Sequence, residues 1–346
     1  PLYSSAASDV YKRQTIYHYL IALLAVLIYS SCNNEWEDEL YKNAISFAQN
    51  GVQNIHIRYK PGGKVTYQLP IVVSGSREND KDYFVKVDVD KDTLNTMNFE
   101  RFRYRDDLYF KYLEEKFWSV SSNEVVIPAG QNTATLDITF SLSEINMSQH
   151  WILPLTIADD PSYEANHRKH YRKALLNIIP FNDYSGQYGA TAGYVFNKAL
   201  GGLNDKNPQT VANRELFVVS DNSVFFYAGL TDEELENREL YKIIATFKMN
   251  DKKEEDGSVN GTVTLTAPNA DKIGFKAVSG NVNIKTEMDP VQLYLEYRYV
   301  TLTLEYEYSY LIPNSSATID YIFQGNMVMK RSRNIYIPDE DQAMIW

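Results

Sequence analysis

Cys32 is the one cysteine of the 346-residue chain, and only Tyr29-Ser30-Ser31 separates it from the apolar run Leu20 to Ile28. That placement is the substrate of lipoprotein processing, in which cleavage leaves the cysteine N-terminal and acyl groups are attached to it. The run is too short to span a bilayer, which takes about 20 residues, but it fits the roughly 7–15 apolar residues of an export signal. Tyr29 stands where leucine is usual in such a signal. A single acyl chain holds a protein marginally, whereas two or more hold it firmly.

Other spacings suggest chemistry more weakly. Glu305 and Glu307 are two residues apart in a strand-like run, which places both carboxylates on one face at roughly 7 Å, a separation found in inverting glycosidases. The alternation, however, sets both opposite the Leu/Tyr face, where acids are simply solvated. Asp88, Asp90 and Asp92 have the spacing of a calcium loop, yet Thr93 replaces the glycine such a loop turns on and no Glu stands at its twelfth position. His167 and His170 have metal-like spacing inside His-Arg-Lys-His, a setting that reads better as a basic loop. No catalytic residue and no metal or cofactor site is therefore expected.

The elements that must position these groups are strands. Tyr83, Val85, Val87 and Val89 alternate with outward positions, as do Trp151, Leu153, Leu155 and Ile157, and Ala134, Leu136, Ile138 and Phe140. The segment from Met97 to Phe117 breaks the pattern and predicts a helical or irregular insertion. Pro70 and Pro154 lie inside strand-like runs and predict edge strands, because proline donates no ladder hydrogen bond. In Leu293 to Tyr310 the apolar face moves from odd to even positions near Val300, which predicts a bulge or turn. The expected fold is all-β: an N-terminal Ig-like β-sandwich followed by a C-terminal antiparallel β-barrel or curved β-sandwich. Turn residues at 180–186 mark the boundary.

Residues 1–14 read as the in-frame translation of a sequencing adapter, 15–31 as a lipoprotein signal peptide and 32–42 as an acidic tether. Two β domains follow at 43–180 and 184–346. A net charge of −11 argues against nucleic acid, whose phosphates such a surface repels. The 27 tyrosines suit strands and also sugar-binding surfaces, because each ring joins a flat apolar face to a polar tip.

Several strings together carry a family likeness: Phe47-Ala48-Gln49-Asn50-Gly51, Leu69-Pro70-Ile71-Val72-Val73-Ser74, Ile127-Pro128-Ala129-Gly130, Trp151-Ile152-Leu153-Pro154-Leu155 and Phe181-Asn182-Asp183-Tyr184-Ser185-Gly186. The first half resembles the DUF1735 domain of Bacteroidetes lipoproteins. The second half, closing with Ile337-Pro338-Asp339-Glu340-Asp341, is similar to DUF4361. The acidic run after Cys32 resembles the surface-export signal of the same lipoproteins. This likeness implies a lipid-anchored outer-membrane protein, exposed at the cell surface, in machinery that captures polysaccharides beside a TonB-dependent transporter. It also invites comparison with chitinase-like enzymes, to which DUF1735 domains are sometimes fused. Val85, Asp88, Asp90 and Asp92 fall at their signature spacings, but Val and Asp replace the first acid and the terminal proton-donating Glu, so the match fails.

The function expected is thus a non-catalytic glycan-binding or accessory lipoprotein, with a polysaccharide or oligosaccharide as its partner. Trp118, Tyr306, Tyr308 and Tyr310 are the stacking candidates, since sugar C–H faces pack on aromatic rings. A core role for the three tyrosines competes with that reading. A glycoside hydrolase is the first alternative. A scaffold docking on a TonB-dependent transporter is the second, and it would display a broad apolar patch.

Overall fold

The computed structural model describes residues 41–142, 145, 149–168, 170–313 and 315–337. Cys32 and the tether up to residue 40 lie outside the described residues. Strands make up 55% of the described residues, which hold a single α-helix.

The first half is a two-layer sandwich. One sheet is ordered β1-β3-β8-β6, from strands Ala44–Phe47 (β1), Val65–Ser74 (β3), Thr133–Phe140 (β8) and Trp118–Val120 (β6). The other is ordered β2-β10-β9-β4-β7, from Gly51–Arg58 (β2), Lys173–Phe181 (β10), Trp151–Ile157 (β9), Tyr83–Val89 (β4) and Glu124–Ile127 (β7), with the short Lys111–Tyr112 (β5) beside β9. Period-two patterning drives the layers together: Tyr83, Val85 and Val87 are buried while Phe84, Lys86 and Asp88 face out. Most pairs are antiparallel, but β2 runs parallel to β10 and β5 parallel to β9.

Neither proline marks an edge strand. β3 lies between β1 and β8, and β9 lies between β10 and β4. Each proline instead sits where a neighbouring strand stops, so its missing N–H is not needed. The carbonyl of Pro70 accepts from Ala48, just past β1, and that of Pro154 from Asp90, just past β4.

Helix α1, Lys91–Phe102, covers the outer face of this second sheet, burying Leu94 against Ile152 and Leu175. Its start is fixed by Asp90, whose carboxylate caps the Thr93 backbone N–H at 3.0 Å and also accepts from the Thr93 hydroxyl and Lys173. The Asp88/Asp90/Asp92 run is therefore a helix start held by a lysine, not a cation loop. Asn98 then acts as a surrogate strand, exchanging both hydrogen bonds with the Phe110 backbone and drawing the chain beyond α1 back onto it.

The second half is a closed barrel. Gly186–Asn197 (β11), Asn213–Ser220 (β13), Ser223–Tyr227 (β14), Lys242–Lys253 (β15), Val259–Thr266 (β16), Lys276–Met288 (β17), Leu295–Leu311 (β18) and Thr318–Asn334 (β19) pair in that order. β19 returns to β11, while Gln209–Thr210 (β12) joins the outer edge of β11. A register shift between Gly189 and Ala192 lets β11 pair first with β13 and then with β19, which closes the ring.

The bulge expected near Val300 is absent: β18 and β19 stay in unbroken register from Leu295 to Leu311. The even face is the inner one, with Val300, Leu302, Leu304, Tyr306 and Tyr308 buried. Tyr297 and Tyr299 lie on the outer face, where the Lys330 ammonium sits 3.5 Å and 5.7 Å from their ring centroids. A cation over the ring lets tyrosine occupy an outward position that the alternation alone assigns inward.

Candidate functional site

The barrel interior is filled. Tyr306 and Tyr308 are 1% and 2% exposed, and their hydroxyls accept from the backbone N–H groups of Gly229 and Leu230. Arg214 donates to the carbonyls of Thr231 and Gly229 and fastens the same loop across that end. At the other end Tyr184 stacks on Phe247 with centroids 4.0 Å apart. Tyr306 and Tyr308 therefore offer no ring face to a sugar. Tyr310 is half-buried and stacked on Tyr241. Trp118 is half-buried against the sandwich core, and its indole N–H donates to the Leu113 carbonyl. The sequence candidates are thus dispersed between two cores rather than gathered in one place.

The acids are accounted for similarly. Glu305 accepts from Gln324, and Glu307 pairs with Lys198 at 2.7 Å, which holds its carboxyl below the usual range. Both face outward. His167 lies 3.4 Å from Glu164 in an exposed loop, and no metal-binding group of three or more His, Cys, Asp or Glu occurs among the described residues. A polar cleft of about 710 Å³ at the sandwich end away from the barrel is lined by Lys42, Arg77, Lys81, Asp160 and Tyr163. Lys81 donates to the Ser162 carbonyl, Asp160 pairs with Lys86, and Tyr163 is 8% exposed, so the cleft presents no aromatic platform.

The junction between the two halves differs. On β14, Phe225 and Tyr227 alternate with the barrel-core residues yet are 2% and 4% exposed: Phe225 stacks on Phe217 beneath the Lys242 amine, and the Tyr227 hydroxyl donates to Glu239. Phe102, Phe110, His150, Phe217 and Phe225 form a chain of ring contacts with neighbouring centroids 4.9–6.5 Å apart. Loss of hydration beside the neighbouring protein, then Arg238 and Arg101, lower the pKa of His150, which keeps an exposed face. Asp107 ties the two halves together by pairing with Arg105 at 2.8 Å and with Arg238 at 2.9 Å. Arg105 also donates to the Glu234 carbonyl.

At the edge of this junction stands an exposed aromatic pair. Tyr104 is 91% exposed and Phe99 50%, with rings edge-to-face at 6.5 Å and the Arg103 guanidinium 5.6 Å from the Phe99 centroid. Arg103 ends α1 with φ 55° and ψ −113°, a conformation that costs a non-glycine residue of order 1–3 kcal/mol. Its carbonyl is held by the Tyr109 hydroxyl. The fold thus carries local strain while projecting Tyr104 into solvent.

The acidic barrel loop Asp232 to Glu236 meets this segment where Arg105 donates to the Glu234 carbonyl. Protein packed around the carboxyls raises the pKa of Glu215 and of Glu233, and the Glu215 charge raises Glu233 further. A raised carboxyl penalises the fold above its folded pKa, and the penalty vanishes below the unfolded value of about 4.3. Glu233→Gln is therefore expected to raise Tm at pH 7 and to leave it unchanged below about pH 4; scanning calorimetry at the two pH values reads the difference, and equal melting shifts at both would contradict it.

The sequence named this insertion without marking it as a site. The signal lay in Phe99, Arg101, Phe102, Arg103, Tyr104 and Arg105, where rings and arginines mix without any burial period. Glu215 and Glu233 left no local trace, since they meet only through the barrel.

A family model described as a domain of unknown function, DUF4973, matches residues 36–161, and a second, described as a C-terminal domain, matches 172–328. No curated protein matches the chain. Among solved structures, a Bacteroides ovatus protein of unknown function is 39% identical over 88% of this chain and all of its own, with a TM-score of 0.73. A multidomain protein including DUF1735 from the same organism is 38% identical over 87% of this chain and 99% of its own, again at 0.73. A Bacteroides thetaiotaomicron protein described as an auxiliary nutrient binding protein is 35% identical over 86% of this chain and 96% of its own, also at 0.73. The chain belongs to the same family as these Bacteroides proteins, whose members include a DUF1735-containing multidomain protein and an auxiliary nutrient binding protein.

Proposed function

We propose that the chain is a non-catalytic accessory protein that binds a glycan at the junction of its two domains, through Tyr104 and Phe99. The observation that carries this reading is Tyr104, 91% exposed, kept outside any core by a strained residue and flanked by arginines and acids suited to hydroxyl groups. Its relative described as an auxiliary nutrient binding protein supports it. The first half is read as DUF1735-like and the second as DUF4361-like. Cys32 is acylated and holds the protein at the outer-membrane surface, where a TonB-dependent transporter takes up the captured sugar.

A glycoside hydrolase is the second reading, favoured by the raised pKa values of Glu215 and Glu233. Glycosidases divide their work between one protonated and one ionised carboxyl, which requires environments that push two pKa values apart. Here both are pushed the same way, which favours binding. Affinity electrophoresis across neutral and uronic-acid-bearing polysaccharides tests the proposal: retardation of the folded protein by at least one glycan without release of reducing ends is expected. Uniform non-retardation defeats it, and sugar release abolished by Glu233→Gln favours the hydrolase.

A further inference from the structure

The hairpin joining β17 to β18 reaches beyond the rung Arg298–Arg331, where Arg331 grips the linker carbonyls of Asn182 and Ser185. Its turn is apolar at the extreme end. Val291 is 85% exposed and Leu293 69%, followed by Tyr294 at 40% and Met288 at 45%. The end of β19 joins it, with Ile335 at 42% and Tyr336 at 74% exposed; the Ile335 N–H donates to the Tyr294 carbonyl and the two tyrosine rings lie 6.2 Å apart. Aliphatic side chains normally avoid a tight turn, where polar residues serve better.

The residues behind the turn change in a definite order. Next come the paired Glu296 and Arg333, then Tyr297, then Lys285 and Lys330 at the level of Tyr299. The acids among them are engaged: Asp289 accepts from two turn N–H groups and the Tyr297 hydroxyl, Glu287 pairs with Lys285, and Glu296 faces Arg333. The Lys330 side-chain nitrogen lies over the Tyr297 ring. Aliphatic tip, then tyrosine girdle, then paired charges is the order of a membrane interface, in which aliphatic groups enter the acyl boundary while aromatic rings and charged groups sit at the headgroups.

We infer that this hairpin is a lipid-contacting wedge that rests in the interface of a bilayer. A specific protein interface takes about 20–30 residues a side and good shape complementarity, whereas this tip is convex and offers six apolar side chains. The surface involved is distinct from Tyr104, so the inference stands apart from glycan binding.

The test is co-sedimentation of the unacylated chain with phosphatidylcholine vesicles, alone or doped with phosphatidylglycerol. The wild type is expected to partition onto both, because the apolar tip rather than net charge drives the contact. Val291→Asp with Leu293→Asp is expected to lower the partition coefficient at least tenfold, and Tyr336→Trp to show a blue-shifted emission on vesicle addition. The exposed positions leave Tm unchanged. A wild type that stays in the supernatant with both vesicle types overturns the inference, as does partition unchanged by the double substitution. Reversible dimerisation of the wild type that the double substitution abolishes, without vesicle binding, also overturns it and makes the tip a contact between copies of the chain.

Discussion

Tyr306→Ala is expected to destabilise the barrel by about 3–5 kcal/mol, the usual cost of emptying a buried aromatic site, while leaving glycan affinity unchanged. The ring is 1% exposed, stacks on Phe323 at 4.9 Å and contacts Phe226, Phe275 and Tyr308. Tyr306→Phe separates the hydroxyl from the ring. It leaves the buried Gly229 N–H without its acceptor, a loss of roughly 1–3 kcal/mol. Urea unfolding of the two variants should therefore give graded losses. A ring serving as a sugar platform would reverse the pattern, with affinity falling and stability holding.

Gly325→Ala is expected to cost roughly 2–5 kcal/mol, from overpacking together with a disfavoured backbone conformation. At Gly325, φ is +151°, and a β-carbon would stand 2.1 Å from the Ala192 carbonyl oxygen and 2.7 Å from the Gly193 α-carbon. That contact is the seam where β19 meets β11 and closes the ring, so neither side has room to retreat. The control is Gly257→Ala. It shares a positive φ of 81° but has nothing within 4 Å, so it should show the backbone cost alone. Similar losses for the two variants, read by thermal melts, would mean that the seam is not closed as described.

Much of this architecture was legible from alternation. The strands around Tyr83, Ala134 and Trp151 carry period-two patterns that only a half-buried sheet satisfies, and the even-position tyrosines of β18 do point inward. Where the reading failed, a tertiary partner replaced a local rule. Tyr297 and Tyr299 mimicked a change of phase because Lys330 makes an outward tyrosine comfortable. Pro70 and Pro154 mimicked edges because each neighbouring strand happens to stop there.

The site was less legible than the fold. Trp118 drew attention as a tryptophan among serines, yet its indole N–H is taken up by the backbone of Leu113. Tyr104 is one tyrosine among 27, and the only local mark on it is the mixture of rings and arginines around it, which has no burial period. Its exposure follows from the Asn98 clamp on Phe110, the left-handed turn at Arg103 and the ring stack that pins the insertion to the barrel.

The proposed function rests on a sugar platform formed by Tyr104 and Phe99 at the domain junction. Its most direct test is isothermal calorimetry with the glycan that retards the wild type, comparing wild type, Tyr104→Ala and Phe99→Ala at equal fold stability. Tyr104→Ala is expected to weaken binding at least tenfold, about 1.4 kcal/mol, with Phe99→Ala weakening it less and Tm unchanged in both. Wild-type affinity retained by both variants would contradict the proposal.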